Sequence, residues 1–228
     1  MELNSCEFVR CSSYKLVFEN KDFIIINKLE AANYHSEGGL FERVKKLHPQ
    51  IISVHRLDKE TTGLIIFAKS KSIARDFQKL FESRKIIKFY LALSDMKPRK
   101  KQGKITGDMK KSRGGSYKLL KSTVNPAITQ FFSYILLSGI RGYLLKPCTG
   151  KTHQLRVFMK SLGSPIIGDS RYGGTVSSRM YLHAYYLSFR LNEKDFEFSA
   201  KDVSGKLFES FFTSGHLDDL GGISWPKF

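Results

Sequence analysis

Residues 55–63 read His-Arg-Leu-Asp-Lys-Glu-Thr-Thr-Gly, placing one carboxylate between a guanidinium and a turn, directly ahead of the apolar run Leu64–Phe67. A charged group at the mouth of a buried strand must be paired or hydrogen-bonded, or it is costly. Asp58 is therefore either a structural ion-pair partner or a group held for chemistry. A neighbouring guanidinium keeps it ionised, and an oriented, ionised carboxylate can act as a nucleophile. The segment alone leaves both readings open.

Other reactive patterns fall away on inspection. Cys148-Thr-Gly-Lys-Thr approaches a phosphate-binding loop, but Leu145 stands where that loop needs a second glycine. The six histidines, at 35, 48, 55, 153, 183 and 216, show no metal-ligand spacing, so no metal is expected. No nucleophile elbow and no dinucleotide fingerprint occurs. His55 and His153 could serve as acid and base in a metal-free RNA-cleaving reaction, which would leave Asp58 unexplained.

Charge speaks about the partner. Lysine and arginine number 38 against 21 acids, a net charge of +17, and an excess this large favours a polyanion, most often nucleic acid. A basic solubilising surface is the alternative. Cys6, Cys11 and Cys148 make no even disulfide framework, so reduced thiols are expected. The N-terminus lacks the apolar core of a signal peptide, and no stretch approaches the roughly 20 apolar residues of a membrane span. A soluble, cytoplasmic protein is expected.

The elements that must position Asp58 follow from periodicity. Residues 14–28 predict two short strands, 38–49 a helix stopped by Pro49, and 63–69 a strand buried on both faces. Ile73, Phe77, Leu80 and Phe81 mark an amphipathic helix over 72–84. Strands follow over 86–94, 127–136 and 142–148, then a helix with Leu155, Phe158, Met159 and Leu162 on one face, two more strands, and a closing helix over 205–212. Between Met96 and Lys121 lies a lysine-rich, glycine-punctuated stretch, either a solvated loop or a phosphate-contacting hairpin. Strand runs with interspersed helices predict an α+β domain with a long mixed, mostly antiparallel sheet and flanking helices around a cleft. The expected divisions are 1–21 as a short segment with the first strand, 22–213 as the catalytic domain, and 214–228 as a tail.

Taken in order, "HRLDKETTGLIIFAK", "KFYLAL", "GKTHQLRV", "GSPIIGDSRYG" and "LHAYYLSF" resemble the RluA-type RNA pseudouridine synthases, which isomerise uridine to pseudouridine in ribosomal or transfer RNA. The likeness runs from about Asp22 to Phe198, with Thr62 where the family's first motif has serine. It implies Asp58 as nucleophile on a flipped-out uridine, Tyr90 stacking on the base and taking the last proton, and Arg156 pairing with the nucleophile. It also implies substrate contacts from His55, Arg56, Leu57, Thr62, Lys88, His153 and Leu155, and no cofactor. The chain departs from the family at Leu29, Ala31 and Tyr34, which replace proline, glycine and valine between Asn27-Lys28 and His35, and at Lys151 and Phe158. With the domain starting within about 15 residues, no separate S4 RNA-binding domain is expected. Lys100, Lys101, Lys110, Lys111 and Arg113 are then the candidates for the RNA backbone. The expected protein is a monomer with RNA as partner and no obligatory protein partner. A non-catalytic RNA-binding protein or RNA chaperone on the same fold is the alternative.

Overall fold

The computed structural model describes residues 13–29, 31, 33–34 and 38–226. Its strands are β1 (Tyr14–Glu19), β2 (Phe23–Lys28), β3 (Ile52–Ser53), β4 (Thr62–Ala68), β5 (Ile87–Ser94), β6 (Gln102–Gly107), β7 (Met109–Lys111), β8 (Tyr117–Leu119), β9 (Ala127–Leu137), β10 (Ile140–Pro147), β11 (Leu182–Leu191) and β12 (Lys194–Ser199). Its helices are α1 (Leu40–Leu47), α2 (Lys71–Glu82), α3 (Gln154–Ser161) and α4 (Lys206–Phe212). One mixed sheet runs β1-β2-β4-β11-β5-β10-β9-β6, with β12 added to β11 and β3 to β4. The short β7–β8 hairpin stands apart.

β2 and β4 are buried at every residue, as expected of apolar runs covered on both faces. Ile24, Ile26, Ile65 and Phe67 face Leu40 and Val44 of α1. Phe23, Ile25, Leu64 and Ile66 face Ile73 and Phe77 of α2. α2 is started by Ser70, whose Oγ accepts the Ile73 N–H at 3.3 Å. α3 is buried from Gln154 to Met159, so it lies between the sheet and other chain rather than on the surface.

Among the described residues one sheet pairing is parallel, β4 with β11, and it holds for two residue pairs, His183 with Thr62 and Ala184 with Gly63. Ala184 in turn pairs with Tyr90 on β5. This short seam brings the loop ahead of β4 alongside the start of β5, and the cleft opens there. The approach requires a glycine: Gly63 has φ of +113°, and a Cβ on it would sit 2.3 Å from the Ala184 carbonyl oxygen.

β3, a two-residue strand, was not anticipated by the sequence. Of the two readings of the lysine-rich stretch, the structure shows β6 and the β7–β8 hairpin. β1 joins the main sheet through β2, and Trp225 of the tail stacks on Phe89 at 5.2 Å. No helix among the described residues is long and apolar enough to cross a membrane.

Gly63→Ala should cost about 3 kcal/mol or more, because it adds backbone strain at positive φ to a steric clash at the seam. Chemical denaturation measures it, and a loss below about 1 kcal/mol would contradict the tight seam.

Candidate active site

Asp58 sits in the loop between β3 and β4. Leu57 anchors that loop in the α1-side core. From below, the buried Lys28 ammonium donates to the backbone carbonyls of Asp58 at 3.0 Å and Lys59 at 2.6 Å. The Thr61 N–H closes a turn onto the Asp58 carbonyl at 3.1 Å. The backbone is thus held while the carboxylate, 20% exposed, faces a cleft of about 840 Å³.

Arg156 reaches the same cleft from α3. Its fork is taken by Asp169: Nε and Nη2 each donate to a separate carboxylate oxygen at 2.8 Å. The remaining nitrogen, Nη1, lies 3.6 Å from Asp58 Oδ2 and 3.6 Å from Glu60 Oε2. Arg156 thus ion-pairs with Asp58, as the resemblance implies, through Nη1 alone, while its bidentate partner is Asp169. The physical reason is geometric, since one planar fork serves one carboxylate at full strength. Burial pulls the Arg156 pKa down, but the hydrogen bonds and charge of Asp169, aided by Asp58 and Glu60, raise it overall. The guanidinium also lies over the Tyr172 ring at 5.2 Å.

Tyr90 lines the cleft from β5, its phenol pushed well above the ordinary tyrosine range by burial and then by the charge of Asp58. His153 enters α3 in a left-handed conformation, φ 57°, a strained state for a non-glycine residue. Tyr172 Oη accepts the Tyr117 N–H at 3.0 Å and lies 2.9 Å from His153 Nδ1. Either Nδ1 or the phenol can donate in that contact, according to the tautomer of His153. Burial lowers its pKa.

Of the expected catalytic and substrate-contacting residues, all except Thr62 line this cleft. Thr62 is corrected: its hydroxyl accepts from Arg179 Nη2 at 2.8 Å and lies 2.8 Å from His183 Nδ1, behind the cleft. Its neighbour Thr61 lines the cleft instead, because successive strand residues face opposite ways. His55 touches the cleft, but its Nε2 accepts the Ile66 N–H at 2.9 Å. Burial and the charge of Lys88 push its pKa down to about 3, which removes it as an acid or base. Lys100, Lys101, Lys110, Lys111 and Arg113 are exposed and do not line the cleft. The hairpin that carries several of them reaches the site through Tyr117, whose ring meets His153 edge-on at 5.7 Å. His35 lies outside the described residues. Tyr34, a departure from the family pattern, is buried with its hydroxyl 2.7 Å from Ser53 Oγ.

The sequence reading missed Asp169. Its signal was an acid one glycine beyond the apolar Pro165–Ile167 run, a place where burial demands a partner. Lys28 was noted only for its spacing, and its grip on the Asp58 loop became visible in the fold.

Residues 20–161 match the family model described as RNA pseudouridylate synthase. A Haemophilus influenzae chain named "Uncharacterized RNA pseudouridine synthase" is 53% identical over 182 residues, covering 77% of this chain and 81% of its own. The ribosomal large subunit pseudouridine synthase C of Rickettsia bellii is 34% identical over 205 residues, 82% of this chain and 67% of that one. Among solved structures, human RNA Pseudouridylate Synthase Domain Containing 1 superposes with a TM-score of 0.72 at 26% identity, over 89% of this chain and 86% of that one.

His55 and the buried His183, whose pKa burial lowers to about 4, are neutral in the fold and bind protons on unfolding. The unfolded chain takes up more protons below about pH 6.5, so stability is full above that value and falls as pH drops toward 4 and 3. A loss of about 2 kcal/mol or more between pH 7 and pH 5 is expected from urea unfolding. A flat profile over that window would contradict the buried, neutral histidines.

Proposed function

The chain belongs to the RNA pseudouridylate synthase family, and from that premise we propose that it isomerises uridine in ribosomal RNA with Asp58 as its nucleophile. The observation that carries this reading is the meeting of Asp58, Tyr90 and Arg156, from a loop, a strand and a helix, in one cleft. The relative named as a ribosomal large subunit enzyme favours ribosomal RNA over transfer RNA.

The reaction breaks the bond from the sugar to N1, forms one from the sugar to C5, and moves a proton from C5 to N1. It is redox-neutral and takes no atom from outside, so side chains suffice. The uridine must leave its stack to be reached, at a cost of a few kcal/mol, and stacking on an aromatic such as Tyr90 returns about 1–3 kcal/mol. Asp58 attacks the flipped nucleotide, the base detaches and turns, and C5 joins the sugar as the carboxylate leaves.

Arg156, fixed by Asp169, pairs with Asp58 and orients it before attack. Tyr90 stays protonated beside the charged aspartate. The neutral phenol takes the C5 proton only as it passes its own hydroxyl proton on to solvent, from which N1 of the turned base receives one, so the net transfer from C5 to N1 balances. The exposed lysines of β6 and the β7–β8 hairpin serve the RNA backbone in this reading, since phosphate contacts position the substrate without reading sequence.

Asp58→Asn keeps size and hydrogen bonding and loses the attacking charge. Assayed as pseudouridine formed in a ribosomal RNA transcript, the variant should fall at least about a thousandfold, about 4 kcal/mol of barrier, while still binding RNA. Turnover within tenfold of the parent would sink the nucleophile assignment. A parent that binds RNA and forms no pseudouridine would favour the RNA-chaperone reading.

A further inference from the structure

The cleft extends past Asp58 into a wall built from the end of α2, the start of β5 and the end of β10. Arg84, Lys88 and Lys146 line that wall around Cys148, and all three, with Lys104, act on the Cys148 thiol. None of the three has an ion-pair partner among the described residues. Glu82, the acid nearest in sequence, is hydrogen-bonded by Gln78 at 2.8 Å. The Lys88 ammonium lies over the Phe81 ring at 5.3 Å, and that of Lys146 over the Trp225 ring at 5.1 Å. Aromatic faces steady these charges without neutralising them.

Two further observations point to a ligand. Arg84 has φ of 57° directly after the α2 C-cap, a left-handed position where glycine is the ordinary choice. A long charged side chain held there carries strain that a structural role does not call for. Lys88 is half-buried and has no ion-pair partner among the described residues, and burial pulls its pKa down to about 8. Like charges gathered in a partly dry wall repel one another, and an incoming anion relieves that.

We propose that Arg84, Lys88 and Lys146 form a subsite for one backbone phosphate of the RNA strand, beside the pocket for the target base. The inference rests on the RNA reading above and deepens it. Lys88 and Tyr90 are two residues apart on β5 and share a face, so their side chains stand roughly 7 Å apart. That is within reach of a phosphate flanking a base stacked on Tyr90. An anchor there grips the strand next to the extruded nucleotide, separately from the outer lysines of β6 and the hairpin.

The test measures binding of a fluorescent ten-nucleotide oligouridylate by anisotropy at several salt concentrations, so it needs no turnover. Arg84→Gly and Lys88→Met should each weaken binding about fivefold or more. Each should also flatten the slope of log affinity against log salt by about 0.7, the value for one lost phosphate contact on a single strand. Lys194→Met, at the exposed β11–β12 turn, removes the same charge and should change neither quantity. Arg84→Gly should hold or raise Tm, because glycine relieves the left-handed backbone, so weakened binding cannot be blamed on a damaged fold. If Arg84→Gly and Lys88→Met bind like Lys194→Met, the subsite is wrong, whether or not the parent forms pseudouridine. If the parent binds this RNA through these residues and forms no pseudouridine, the proposed reaction fails and the subsite stands.

Discussion

The buried ion pair between Arg156 and Asp169 is the constraint on which the site depends. Both side chains are almost fully enclosed, at 5% and 0% exposure. A guanidinium removed from water is tolerated only when its geometry is close to ideal and its donors are filled. Asp169 fills two nitrogens and thereby fixes the direction of the third. That third nitrogen falls 3.6 Å from both Asp58 and Glu60, an ion pair with each but no tight bidentate bond to either. A carboxylate paired without being tightly bonded is one that can still attack.

Everything around this pair serves to hold it. α3 is buried from Gln154 to Met159, so Arg156 is packed in place as it reaches the cleft. Asp169 accepts further order from its own turn, whose Tyr172 N–H and Gly174 N–H both bond to its carbonyl. On the opposite side Lys28 holds the Asp58 backbone, and the β4–β11 seam sets that loop beside Tyr90. The three proposed catalytic groups thus come from segments that cannot shift independently. This is how the fold keeps reacting atoms within the narrow tolerance that catalysis demands.

Much of the architecture was legible in the sequence because the strong signals were local. The apolar runs of β2 and β4 and the spacing of Ile73 and Phe77 depend on nearest neighbours in the chain. Asp58 was ambiguous from its surroundings, and Tyr90 would have passed as a core aromatic; the family resemblance singled both out. Asp169 was illegible because its importance lies in a partner across the turn after α3. Thr62 was assigned to the wrong side because adjacent strand residues face opposite ways, and register was not knowable from the segment alone. The lysine-rich stretch left loop and hairpin both open. It is held by pairing of β6 with β9 and by the Asp108 carboxylate, which accepts the Val124 and Asn125 N–H groups. None of these contacts is local.

The central claim is that Asp169 acts on the reaction only through Arg156. It is tested most directly by a double-mutant cycle on kcat/KM for pseudouridine formation, using folded Arg156→Lys, Asp169→Asn and the combined variant. If the two residues act as one unit, the double variant should be no worse than the poorer single variant, within about threefold, as expected for groups that fail together. Losses that multiply would mean that Asp169 and Arg156 contribute independently, and the clamp would no longer explain the site.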